Sequence, residues 1–274
     1  MLAGPLHPPA EARRLLRRPS PRLAAIPAAA PAALLALFLA LPLLGLLARA
    51  TVGSAGLAAV GRPLVLDALK LSLGTSALVL LLTLVFGSAL ALVLARWRGP
   101  LVGTLDTLVD LPIVLPPAVA GLALLLTFGR RGLLGAPLQS LGLELPFTTV
   151  AVVLAGLFVA APFYVRAARS GFLAVPREIE DAARVEGASN WQLFWHVTVP
   201  LATPALLGGA ILCWARALGE FGATIMFAGS FQSRTQTMPL AIYAALESDV
   251  DAAIGISVLL LAVSFALLVL FRRW

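Results

Sequence analysis

Apolar residues run through this chain in long, nearly unbroken stretches, and the charged residues collect in short clusters between them. Neither the alternation of a half-buried strand nor the one-sided stripe of a soluble amphipathic helix fits that pattern. A helix rises about 1.5 Å per residue, so roughly 20 apolar residues cross a hydrocarbon layer about 30 Å thick. Six stretches reach that length: Pro31 to Ala48, Leu69 to Ala95, Leu108 to Phe128, Thr148 to Ala168, Pro204 to Phe227 and Ala252 to Phe271. The pattern predicts an all-α integral membrane protein with six transmembrane helices.

Composition points the same way, since 60% of the 274 residues are hydrophobic and 12% charged, where a soluble domain has about half and about a quarter. The net charge is +7, and every basic residue but Lys70 is an arginine. A nucleic-acid surface gathers its cations on one solvated face, whereas here they lie between spans, so no nucleic-acid partner is expected. With the N-terminus in the cytoplasm, the inside set is Arg13, Arg14, Arg17, Arg18, Arg22, Arg96, Arg98, Arg166, Arg169, Arg177, Arg184, Arg272 and Arg273. The outside set is smaller: Arg49, Arg62, Lys70, Arg130, Arg131 and Arg234. The excess of inside cations puts both termini in the cytoplasm. Residues 1–30 then form a basic cytoplasmic arm, and 31–274 a single transmembrane domain with a cytoplasmic loop at about 169–203. The arm, the apolar run and Ala48-Arg49-Ala50 also have the form of a cleavable secretory signal. The run from Leu23 to Ala48 exceeds a usual signal core, and the first helix is expected to be retained. Cys213 is the one cysteine and His7 and His196 lie far apart, so neither a disulfide nor a metal site is expected.

Two spans depart from plain lipid-facing helix. The third carries Pro112, Pro116 and Pro117, which remove backbone donors and clash with preceding carbonyls, so it must be bent or interrupted. That bend is either a packed kink or a broken segment lining a route across the membrane. The fifth holds Arg216 and Glu220 one helical turn apart in an otherwise apolar stretch. Each charge costs about 3 kcal/mol at a helix centre, so neither is expected to face lipid. The pair is either a self-satisfying ion pair or part of a gate. Gly208, Gly209, Gly219 and Gly222 on the same span allow close approach of another helix.

The cytoplasmic segment after the fourth span is more polar. Pro176 opens a helix with acids in its first turn, Gly187 breaks it, Ala188-Ser189-Asn190 recaps a second, and Pro200 is expected to end it. Within it, Asp181-Ala182-Ala183, then Gly187 and Val197-Thr198-Val199-Pro200, resemble the EAA loop of ATP-binding cassette importer permeases. Asp181 stands for the usual Glu, Val197 for Ile and Val199 for Leu. Ala215 to Gly229, Arg234 to Tyr243, Asp110 to Pro117 and Phe128 to Gly135 are similar to the molybdate branch of that family. The resemblance covers about Asp67 to Phe271, and sulfate and thiosulfate permeases are close to it as well.

The resemblance implies a type I importer permease fold in a prokaryotic inner membrane. It implies a homodimer with its pore on the two-fold axis, two cytoplasmic ATPase subunits and an extracytoplasmic oxyanion-binding protein, with membrane lipid around the spans. ATP and Mg²⁺ would be bound by the ATPase partner, with no cofactor and no hydrolysis in this chain. Glu180, Asp181, Ala182, Ala183, Gly187, Val197 and Pro200 are then the coupling residues. Arg216, Gly219, Glu220, Phe221, Gly222 and Thr224 become pathway or gate residues, and Pro112, Pro116 and Pro117 mark a kinked pathway helix. The cargo implied is molybdate, with tungstate nearly equivalent. An ion-coupled secondary transporter is the rival class, but the chain shows no convincing internal repeat. An intramembrane enzyme lacks a readable nucleophile, acid pair or metal cluster, and a purely structural role would leave the charged pair and the kinked span unexplained.

Overall fold

The computed structural model describes residues 21–52 and 61–272, with side chains over 29–51 and 61–269. Arg13, Arg14, Arg17, Arg18, His7 and Arg273 lie outside the described residues. All regular structure among the described residues is helical.

Helix α1, Pro21–Val52, stands as a unit by itself. Leu34, Phe38, Leu39 and Leu44 are all exposed on it, as a helix apolar on every side requires when its solvent is lipid. It starts ten residues before Pro31, because the prolines at 27 and 31 are tolerated within an apolar membrane helix.

The second unit contains the remaining spans. Helix α2 runs Pro63–Arg96 with a π-helical turn at Thr83–Gly87. The third apolar stretch is two helices, α3 Pro100–Val114 and α4 Pro117–Phe128, followed by the short α5 Gly135–Ser140. Helix α6, Thr149–Ala174, carries the fourth span six residues beyond Ala168, so Arg169 belongs to the end of a membrane helix. Helix α7, Arg177–Val185, and the start of α8, Asn190–Leu218, make the loop. Helices α9 Gly222–Phe227, α10 Met238–Leu246 and α11 Val250–Arg272 complete the chain.

Helix α6 is the centre of this unit, in contact with α2, α3, α4, α8 and α9. Its sequence explains that position, since Ala151, Ala155, Gly156, Ala160 and Ala168 are buried and small residues let helix backbones approach in a membrane. One core gathers Val79, Leu94, Tyr164, Phe172, Ala210 and Cys213. A second joins Ala120, Leu124, Val152, Val159 and Phe227, and a third Val65, Met238 and Ile256. The Tyr164 hydroxyl lies 2.6 Å from Ser88 Oγ, just past the π turn of α2, so the polar end of a fully buried ring has its partner.

Pro200 does not end its helix. The π-helical turn at Phe194–Thr198 directly precedes it, and that wider turn takes up the distortion a proline ring causes. The helix therefore continues from Asn190 to Leu218 as 29 residues.

Candidate translocation site and cytoplasmic loop

The third span breaks where prolines dictate. Leu115 and Pro116 have extended backbones, ψ 133° and 134°, as the residue before a proline prefers. Helices α3 and α4 consequently meet at 119°. Pro112 is buried in the last turn of α3, and Pro117 occupies the first turn of α4, where no backbone N–H is needed.

The fifth span breaks too, which corrects the expectation of one helix from Pro204 to Phe227. Helix α8 stops at Leu218, Gly219 is exposed, and Phe221 adopts φ −129° and ψ −54° before α9 begins at Gly222. The two breaks abut. A Cβ placed on Gly222 would lie 2.6 Å from Pro117 Cβ, so only glycine lets α9 sit this close to α4.

Arg216 and Glu220 flank this second break and do not share a helix. Their charged groups approach to 2.6 Å, with side-chain exposures of 27% and 3%. The pair is close but not aligned, and Glu220 Oε2 makes no hydrogen bond. The other carboxylate oxygen, Oε1, accepts a 2.7 Å bond from the Ala223 N–H, one of the free donors at the start of α9. Glu220 thus ties the end of one helix to the start of the next. Thr224 is buried, while the Phe221 ring rests 5.4 Å from that of Tyr243 on α10. Helix α10 was not expected; its nine residues are too few to cross a membrane.

In the loop, the coupling candidates divide into anchor and surface. Glu180 is buried, receiving bonds from Arg96 at the end of α2 at 2.5 Å and from the Thr198 hydroxyl at 2.8 Å. It fastens α7 to two membrane helices rather than facing a partner. Asp181 and Ala182 are exposed, Asp181 pairing only with Arg184 at 2.7 Å. Ala183 and Val197 are half-buried and Pro200 is exposed. Gly187 turns the chain with φ +89°, a left-handed conformation that costs any residue with a Cβ. Ser189 then caps α8, in a reciprocal arrangement with Gln192.

Sequence reasoning missed a four-residue charge network along the middle of α3. Arg166 on α6 forks onto the Asp110 carboxylate and reaches Asp106 at 3.0 Å. Arg169 meets the same Asp106 at 2.8 Å. The signal was there in the spacing: two acids four residues apart straddling the start of the third apolar stretch, two arginines three apart straddling the end of the fourth. Among the described residues no group of three or more His, Cys, Asp or Glu is placed to hold a metal.

The arrangement of spans is that of an ABC importer permease subunit. A bacterial transporter for import of the acidic polysaccharide alginate superposes with TM-score 0.70, covering 89% of this chain and 93% of that chain at 18% identity. The MetNI methionine transporter in its inward-facing conformation gives 0.60, over 77% and 94%, also at 18% identity. Residues 83–274 match the family described as the inner membrane component of binding-protein-dependent transport systems, and the chain belongs to that family. It is therefore a multi-pass inner-membrane protein. It is 46% identical over 203 residues to the molybdenum transport system permease protein of Mycobacterium tuberculosis, covering 74% of this chain and 76% of that protein. The molybdenum permease of Escherichia coli is 40% identical over 66% of this chain and 80% of its own length. A probable sulfate permease of Chlorokybus atmophyticus is 35% identical over 75% and 72%.

Proposed function

We propose that this chain is the membrane-spanning permease subunit of an ATP-driven importer of molybdate, with tungstate as a near-equivalent cargo. The observation that carries the reading is the pair of abutting helix breaks, α3/α4 against α8/α9, with Arg216 and Glu220 at the second. Irregular backbone and ionisable groups inside a membrane line a polar route, because lipid satisfies neither. Molybdate as the cargo is supported by the identity to molybdenum permeases, which exceeds that to the sulfate relative.

In this reading two copies of the chain pair about a two-fold axis, so that Arg216 is duplicated at the pore and offers an approaching dianion transient compensation for lost water. Two cytoplasmic ATPase subunits bind ATP and Mg²⁺ and seat against Asp181, Ala182, Ala183 and Gly187, while Glu180 fastens that surface to the membrane helices and Val197 and Pro200 complete the coupling loop. An extracytoplasmic oxyanion-binding protein delivers the cargo, and both termini lie in the cytoplasm. No cofactor belongs to this chain.

The test is uptake of labelled molybdate into proteoliposomes holding the chain with its ATPase and binding protein. ATP-dependent uptake blocked by tungstate and not by excess sulfate is the expected result. Strong competition by sulfate would move the assignment to sulfate, and uptake driven by an ion gradient without ATP would overturn it.

A further inference from the structure

Helix α2 ends at Arg96, and beside that end opens a cavity of about 720 Å³ reaching to α7 and the start of α8. Part of its lining is apolar, from Leu92, Val93, Leu193 and Phe194; the rest carries the guanidinium groups of Arg96, Arg177 and Arg184. The two carboxylates in the lining are already engaged, Glu180 by Arg96 and Asp181 by Arg184. Arg177 is exposed and makes no hydrogen bond or ion pair among the described residues. Three cations against two anions leave a surplus of one positive charge. Arg177 is also the first residue of α7, whose free N–H groups favour an anion at that end.

The setting narrows the class of anion. Leu92 and Val93 belong to a membrane span, so the cavity begins at the depth of the bilayer boundary. Trp97 in its lining, and Trp191 and Trp195 next in sequence to the lining residues Asn190 and Phe194, are exposed at 67%, 71% and 48%, as aromatic side chains are at the headgroup level. A soluble anion would use the guanidinium groups and leave the apolar lining empty. A phospholipid brings a singly charged phosphate on an apolar body and uses both. A choline headgroup would add a cation to an already cationic lining, whereas a glycerol headgroup adds none. The cavity borders the coupling surface through Glu180 and Asp181, but it shares no residue with the hollow lined by Ala183, Gly187 and Val197.

We propose that the Arg96–Arg177–Arg184 cavity is a binding site for an anionic phospholipid, with its phosphate held at Arg177. The test is native mass spectrometry of the full-length chain in detergent, titrated with phosphatidylglycerol or phosphatidylcholine, with inorganic phosphate as competitor. Phosphatidylglycerol should be retained preferentially. Arg177→Gln should weaken its retention about five-fold, the factor one cation near a membrane surface contributes, and Arg177→Lys should keep most of it. Arg98→Gln, outside the cavity, should have no effect. Equal retention of both lipids, or unchanged retention in Arg177→Gln, would overturn the site. Displacement by millimolar inorganic phosphate would show that the cavity takes the free anion and defeat the lipid assignment.

Discussion

Glu220 stands 2.6 Å from Arg216 across the end of a helix, and its second carboxylate oxygen bonds the Ala223 N–H of the helix beyond. One buried carboxylate therefore answers both a charge and a helix start. Replacing it by a neutral side chain changes the break itself, and not only the charge balance of the span.

Glu220→Ala should destabilise the detergent-solubilised protein by about 3 kcal/mol or more, because a buried pair loses one member and α9 loses a capping acceptor. Glu220→Gln keeps an oxygen for Ala223 and should cost less. Arg216→Gln should reduce ATP-driven uptake more than it lowers the melting temperature. Wild-type uptake in that variant would remove Arg216 from the pathway.

Gly222→Ala should cost about 1–3 kcal/mol, the usual range for overpacking. Its Cβ would meet Pro117 Cβ, whose position is fixed by a ring and cannot rotate away. Thermal unfolding checks the stability, and uptake should fall in parallel.

The Gly187 turn has open space around it, so substitution there tests backbone conformation more than fit. Gly187→Ala should lose about 1–2 kcal/mol locally through its φ of +89°, whereas Gly187→Asn should be milder because Asn tolerates that region. Gly187→Arg should separate ATP hydrolysis from uptake. Comparing ATPase rate with transport rate in the same proteoliposomes reads this out, and unaltered uptake in Gly187→Arg removes the turn from coupling.

Arg166→Gln should destabilise more than Asp110→Asn, since Arg166 serves two carboxylates and Asp110 one cation. Charge-assisted bonds contribute about 1.5–3 kcal/mol each, and partial solvent access at this site lowers that to about 1 kcal/mol. Melting curves of the two single variants and the double variant would show the coupling directly.

The spans were legible because hydrocarbon thickness imposes a length on any apolar helix; α11 follows it closely, while α2 and α6 overrun it at 34 and 26 residues. The break at Pro116 was legible too, since proline carries its own geometry. The break at Gly219 was not: Gly-Glu-Phe-Gly contains no residue that forbids helix, and the turn depends on contacts with α4 and α10. Pro200 misled for the opposite reason, its local clash being absorbed by a neighbouring π turn that sequence does not announce. The Asp110–Arg166 fork needs two helices brought side by side, which hydropathy cannot supply. Glu180 stood beside a recognisable motif, yet its burial depends on Arg96 on another membrane helix and on Thr198 beyond the Gly187 turn.

The uninterrupted run from Asn190 to Leu218 gives the molecule a lever. Its 29 residues amount to about 43 Å at 1.5 Å per residue. One arm begins at the Ser189 cap beside Gly187, and the other stops at the residue before Gly219. A tilt of about 5° pivoting at either end sweeps the opposite end through about 4 Å on that length. Small angular changes at the cytoplasmic loop are thus geometrically sufficient to displace the helix end that bears Arg216 by more than a bond length.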